Sequence, residues 1–195
     1  ELAVDGAYKR KPDVAIVVFG EEPYAEFQGD LSDLMFKSGK SGDLELIRKL
    51  KADGIPVVAV FLSGRPLWLN REINAADAFV AAWLPGSEGG GVADVLLRGA
   101  DGEPQYDFKG KLSFSWPRRA DQYLNNHGQE GYDPLFPFGY GLSYADDGDL
   151  APLSEDPGVD PEAGGGNTWF ERGVPAAGFS LRLVGADDDA VEVTQ

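Results

Sequence analysis

Three apolar runs, each closed by a glycine-containing turn, constrain this fold more than any other feature. They are Val14–Phe19, closed by Gly20; Ile55–Leu62, closed by Ser63-Gly64-Arg65-Pro66; and Ala78–Leu84, closed by a Pro85–Gly91 loop with four glycines. Apolar runs of this length without alternation fit strands covered on both faces. Helical spacing lies between and after them. Asp43–Lys51 places Leu44, Ile47 and Leu50, with Leu46 beside them, on one stripe, and Gly54 and Pro56 follow as stop signals. Leu67–Ala76 reads as a short helix, and Val92–Leu97 as another, closed by Gly99. Residues 31–41 are polar with Gly and Ser and read as a surface loop. Strands alternating with helices imply βαβ units, a mostly parallel sheet and right-handed crossovers. The expected class is α/β, a three-layer sandwich.

After residue 100 the pattern changes. Lys111–Trp116 reads as a short strand stopped by Pro117, and residues 118–144 are aromatic and irregular. Residues 145–167 are rich in Asp, Glu, Pro and Gly and read as an acidic linker. Residues 168–195 contain two strand-like runs, Gly178–Val184 and Ala190–Val193, too few to fold alone. The expected organisation is an α/β sandwich over 1–144, a linker over 145–167 and a fragment of a C-terminal β domain over 168–195.

Charge narrows the function. The net charge is −16, and residues 145–195 hold twelve acidic and two basic side chains. Nucleic acids and anionic membranes need clustered cations, so neither is an expected partner. No run approaches the roughly 18 apolar residues of a membrane span. There are no cysteines, which removes thiol catalysis, disulfides and thiolate metal sites, and His127 is the only histidine. A histidine-based triad or a multi-histidine metal site has almost no material. Asp187–Asp189 reads as a solvated turn rather than a Ca²⁺ site. The glycines at 86–91 lack the Lys and Ser/Thr of a phosphate loop, and Glu88 would repel phosphate. No metal or cofactor is expected.

The loop after the first strand, GEEPYAEFQGD over Gly20–Asp30, carries the chemistry. It holds Glu21, Glu22, Glu26 and Asp30, with Tyr24 and Phe27 between them. In open α/β sheets ligands bind beyond the carboxyl ends of the strands. Aromatic rings stack on pyranose faces, and a desolvated carboxyl can hold a proton near neutral pH. Glycoside hydrolysis needs two carboxyl groups, about 5 Å apart in the retaining form. Spacing alone does not say which carboxyl works, and an acidic, solvated loop is equally compatible with it. Arg65, at the same sheet edge, is a candidate partner for one of these carboxylates.

Five ordered segments carry a resemblance: GEEPYAEFQGD, VVAVFLSGRPLWL, AFVAAWLPGSEGGGVADVLLRG, KGKLSFSWPR and YDPLFPFGYGLSY. Over residues 11–144 the chain resembles the C-terminal α/β-sandwich domain of family 3 glycoside hydrolases, most of all exo-β-glucan glucohydrolases. The resemblance implies an N-terminal barrel domain that supplies an Asp nucleophile, and a sandwich domain that supplies a Glu acid/base from GE-x-PY-x-E-x-x-GD. By motif position that residue is Glu26, with Tyr24 and Phe27 as substrate-binding residues. Glu21 would support the loop and Asp30 would anchor its base. Glu26 must then hold a proton, which burial near Tyr24 and Phe27 is expected to favour. Gln28 stands where plant relatives are expected to have Lys. The sandwich domain is expected to begin upstream of residue 1. The implied substrate is β-linked gluco-oligosaccharide, and the implied location is the periplasm or the exterior. The alternative is a non-catalytic carbohydrate-binding or interaction domain of the same fold.

Overall fold

The computed structural model describes residues 3, 5–27, 29–36, 42–160, 170–171, 174–175, 180–184 and 190–193. Its centre is a parallel sheet of β1 (Ala15–Gly20), β2 (Val57–Leu62) and β3 (Ala78–Trp83), in the order β1-β2-β3. The register runs Ala15↔Val57 to Gly20↔Leu62, and Val58↔Ala78 onward. This is the α/β arrangement expected from the three apolar runs.

Helix α1 (Asp43–Ala52) links β1 to β2. Asp43 and Glu45 sit in its first turn and Lys49 and Lys51 in its last, matching the helix dipole at both ends. Leu44, Ile47 and Leu50 are buried, as their spacing predicted. Gly54 adopts φ +69 just beyond the helix, where the N–H groups of Gly54 and Ile55 return to the carbonyls of Lys51 and Leu50. Helix α2 (Asn70–Ala75) precedes β3, and α3 (Gly89–Leu96) comes after it.

The core lies on one face of the sheet. Val17 and Phe19 of β1 and Val57, Ala59 and Phe61 of β2 pack with Phe36, Ile47, Leu50, Ile73 and Trp116. Phe19, Phe36 and Phe61 form a mutually packed triangle with centroids 5.1–5.7 Å apart, and Phe61 also meets Trp116 at 6.5 Å. Burying each such ring contributes roughly 1.5–3 kcal/mol. The expectation of a first strand covered on both faces fails: Val17 and Phe19 are buried on one face only. Ile16 and Val18 are exposed, Val18 at 59%, because among the described residues the layer over β1 packs only on the Val17 and Phe19 side.

Residues 33–36 are not a surface loop, although Leu31 and Ser32 are exposed. Asp33, Met35 and Phe36 are buried. Asp33 Oδ1 accepts the N–H of Met35 at 2.9 Å, folding the chain inward. Trp68 N–H then donates to Leu34 O, Phe36 N–H donates to Trp68 O, and Leu34 N–H donates to Ala120 O. That parallel bridge between Met35 and Trp68 occupies the start of the expected helix, and α2 begins at Asn70 rather than Leu67. Residues 37–41 lie outside the described residues.

Two boundaries also move. Helix α3 begins at Gly89, before the expected Val92, and none of its residues is fully buried. The short strand expected at 111–116 appears instead as β4 (Trp116–Pro117), antiparallel to β5 (Pro134–Phe136), with a register shift at Pro117, which cannot donate a ladder bond.

Within the acidic segment, residues 153–159 dock against the domain. Asn70 Nδ2 donates to Ser154 O, Asn74 Nδ2 to Leu153 O, and Leu153 N–H to Asn74 Oδ1, each at 2.9 Å. Ala120 N–H donates to Pro157 O. Leu153 packs against the main core, and Val159 against the buried Met35, Trp68 and Ala120. Further on, β6 (Phe170–Glu171) pairs with β7 (Val174–Pro175), and β8 (Leu181–Val184) with β9 (Ala190–Val193), both antiparallel. Asp187–Asp189 falls outside the described residues.

Candidate active site

The loop after β1 leaves the sheet where Gly20 lies close against the backbone of Leu62. A Cβ on Gly20 would lie 2.1 Å from Leu62 O, so only glycine allows this approach. One residue on, Glu21 N–H still donates to Leu62 O at 3.1 Å. The loop therefore starts from a fixed point on β2.

Arg65, from the turn after β2, organises the loop. Its Nε and Nη2 both donate to Glu21 Oε1, at 3.0 and 2.7 Å. Its Nη1 donates to Gly29 O at 2.6 Å. Its guanidinium carbon lies 4.7 Å from the centroid of the Tyr24 ring. The Ser63 hydroxyl lies 2.6 Å from Glu21 Oε2 and 2.7 Å from Arg65 O, and it accepts the Arg65 N–H. The Glu21 side chain is only 12% exposed, so this is a partly desolvated, charge-assisted pair rather than a surface contact. The carboxylate partner expected for Arg65 is thus Glu21.

Beyond this anchor the loop opens. An open concavity of about 480 Å³ is lined by Tyr24, Ala25, Glu26, Phe27, Gly29 and Asp30. Glu26 is exposed. Phe27 adopts φ +68, a conformation that bulky residues rarely take, and is 78% exposed. Asp30 N–H closes the turn onto Phe27 O at 3.2 Å. The burial expected around Glu26 is absent among the described residues. The Tyr24 ring lies against Arg65, and the left-handed turn leaves Phe27 in solvent, so neither ring desolvates the carboxyl.

The profile of the glycosyl hydrolase family 3 C-terminal domain matches residues 1–144. The chain belongs to glycoside hydrolase family 3. It is 34% identical over 160 residues to the periplasmic beta-glucosidase of Salmonella typhimurium, covering 69% of this chain and 20% of that protein. It is 38% identical over 141 residues to the xylan 1,4-beta-xylosidase of Xylanibacter ruminicola, covering 64% of this chain and 15% of that one. The solved exo-1,3/1,4-beta-glucanase (ExoP) of a Pseudoalteromonas species superposes with a TM-score of 0.77 at 51% identity, over 98% of this chain and 23% of the other. The chain therefore spans about a fifth of the length of the relatives it matches.

Within this family 3 domain the structure brings Glu21, Tyr24 and Arg65 together and leaves Glu26, Phe27 and Asp30 around the concavity. Ser63 and Gly29 were not singled out from the sequence, yet both hold the loop. Ser63 could have been found from its place in Ser-Gly-Arg-Pro directly after an apolar strand. Gly29 could not, because its need is set by Tyr24: a Cβ there would lie 2.6 Å from two ring carbons. His127 is a loop residue in an aromatic cluster, with its ring 5.8 Å from Phe138 and 5.7 Å from Tyr132. Trp83, at the end of β3, packs edge-on against Phe114 and tilted against Trp116.

Proposed function

We propose that this domain is the acid/base-bearing portion of a retaining, exo-acting β-glucosidase or β-glucan glucohydrolase that releases glucose from β-linked gluco-oligosaccharides. The observation that carries the reading is the exposed Glu26 beside an open concavity, on a loop tied to the carboxyl edge of a parallel sheet by Glu21 and Arg65. The likeness to ExoP over nearly the whole chain supports the choice of substrate.

In this reading Glu26 donates its proton to the glycosidic oxygen while a carboxylate of the barrel domain displaces the aglycone and forms a glycosyl ester. Glu26, now ionised, takes a proton from water as the water oxygen attacks the anomeric carbon, breaking the ester bond, which frees the barrel carboxylate and releases glucose. Phe27 and Tyr24 offer ring faces to the sugar. The barrel domain of the same enzyme covers the exposed loop and excludes bulk water from Glu26. Residues 1–144 belong to the sandwich domain, 145–167 form an acidic linker, and 168–195 belong to a β domain. The enzyme works in the periplasm or outside the cell, in keeping with its oligosaccharide substrate.

The test is hydrolysis of aryl β-D-glucosides and β-D-xylosides by the full-length protein. The expectation is preference for the glucoside, a 10²–10⁴-fold loss in Glu26→Gln on substrates with poor leaving groups, and azide rescue of Glu26→Ala as glucosyl azide. Preference for the xyloside would overturn the glucose assignment. Undiminished rates in both Glu26 variants would overturn the acid/base assignment.

A further inference from the structure

We propose that Arg65 is a positioning residue for the acid/base: it sets where the Glu26 carboxyl stands by clamping the loop on both sides of it. The inference rests on the acid/base reading of Glu26. Within this domain the Glu26 carboxyl is exposed, so what this domain contributes to its placement comes from the backbone that carries it. Arg65 holds that backbone at three positions. It binds the Glu21 carboxylate at the start of the loop, lies over the Tyr24 ring in the middle and donates to Gly29 O at the end. Glu26 falls between the second and third of these.

The clamp needs a guanidinium. Its N–H groups are fixed in one plane with a flat face, so one side chain can serve a carboxylate, a carbonyl and a ring simultaneously. A lysine could keep the charge and one or two bonds but not the face. The other parts fit the same purpose. Ser63 holds the second oxygen of Glu21, which fixes the carboxylate that in turn fixes Arg65. Gly29 permits the Tyr24 ring to close on the backbone. The left-handed Phe27 between them is a conformation that persists only when its surroundings over-determine it. A displacement of the acid by about 1 Å can cost about 10²-fold in rate, so a clamp of this kind bears directly on turnover.

Position and mere stability are separable by leaving group. Loss of acid assistance slows substrates with poor leaving groups and spares those whose leaving group departs unprotonated. In the full-length enzyme, kcat/KM would be measured across a series of aryl β-D-glucosides of falling leaving-group acidity, for Arg65→Lys, Glu26→Gln and the double variant. The expected result is a loss of about 10²-fold in Arg65→Lys at the poor end of the series, only a few-fold loss at the activated end, and no further loss when the change is added to Glu26→Gln. Hydrogen exchange in residues 21–30 should rise in Arg65→Lys while the sheet strands keep their protection. Equal loss across the series, or a loss that adds to that of Glu26→Gln, would overturn the positioning role and leave Arg65 a stabilising residue. If Arg65→Lys does not fold, Glu21→Gln carries the same test, since it weakens the clamp from the other side with little change in shape. Undiminished rates in Glu26→Gln would instead sink the acid/base reading and this inference with it, so the two failures are told apart.

Discussion

Two acidic, irregular segments of this chain look alike in sequence and behave oppositely in the fold. The loop at 20–30 and the strap at 151–159 are both rich in Asp or Glu, Pro and Gly. In the loop an acid does the holding: Glu21 binds Arg65 and Ser63, and the rest of the segment is left around a concavity. In the strap the acids do little holding. Its backbone bonds to Asn70, Asn74 and Ala120, and its apolar residues Leu153 and Val159 enter the core clusters. Glu155 makes a long contact of 3.9 Å with Arg48 and a bond to Asn74. Acidity in sequence therefore does not say whether a segment is solvated. What matters is whether its carboxylates, its carbonyls or its apolar side chains find partners.

The largest effect should come from breaking the loop's point of departure. Gly20→Ala forces a Cβ to within 2.1 Å of Leu62 O, a backbone atom that cannot yield without parting β1 from β2. The expected cost is about 3 kcal/mol or more, seen as a lowered urea midpoint, together with loss of hydrolysis. A variant as stable as the parent would mean that the strand ends separate freely there.

Next, Glu21→Ala leaves Arg65 partly buried and without its carboxylate. The expected cost is about 2 kcal/mol, and activity should fall with it. The matching change in the strap, Leu153→Ala, should cost about 1–2 kcal/mol while leaving kcat/KM unchanged. Asn74→Ala, which removes two bonds to the Leu153 backbone, should cost about 1 kcal/mol, again without loss of activity. Equilibrium unfolding beside a glucoside assay would check all three. If strap variants lowered activity as the Glu21 variant does, the contrast between a working loop and a holding strap would be lost.

The same contrast explains what the sequence disclosed. Strands β1, β2 and β3 were legible because an unbroken apolar run admits few structures, and α1 because Leu44, Ile47 and Leu50 share a stripe. The burial of residues 33–36 was hidden because the signal lies elsewhere. Asp33 looks like a surface residue until it caps Met35, and the partner of that segment, Trp68, is more than thirty residues away. The strap was hidden for the same reason, since backbone carbonyls have no sequence signature. At the site, motif order pointed to Glu26 and to a carboxylate partner for Arg65. That the partner is Glu21, 44 residues away, became visible only once β1 lay beside β2. The exposure of Glu26 was not legible at all, because burial depends on what covers a loop and not on the loop's own spacing.

The smallest expected effect concerns two acids that lie outside both segments and whose pKa values are shifted in opposite directions. Asp77, beside the start of β3, accepts a bond from Lys51 and the N–H of Val57, and the Lys51 bond most of all holds its carboxyl below the ordinary range. The folded state prefers Asp77 ionised, so its contribution is present above the ordinary carboxylate pKa and fades as pH falls through the lowered one. Asp77 is well exposed, so Asp77→Asn should cost under about 1 kcal/mol near neutrality and nothing in strong acid. Glu72, buried in α2, is pushed upward by desolvation, against its own backbone bond and the nearby Arg71 and Arg48, with Asp43 adding to the rise. The folded state prefers Glu72 protonated, so its contribution is complete below the ordinary range and is lost as pH rises through the raised value. Glu72→Gln should therefore stabilise the domain at neutral pH, with the gain shrinking toward acid. Thermal unfolding of both variants from pH 7 down to pH 3 should give difference curves of opposite sign that both shrink toward zero in acid. Curves of the same sign would show that net charge, rather than the local partners of these two acids, sets the acid limb of stability.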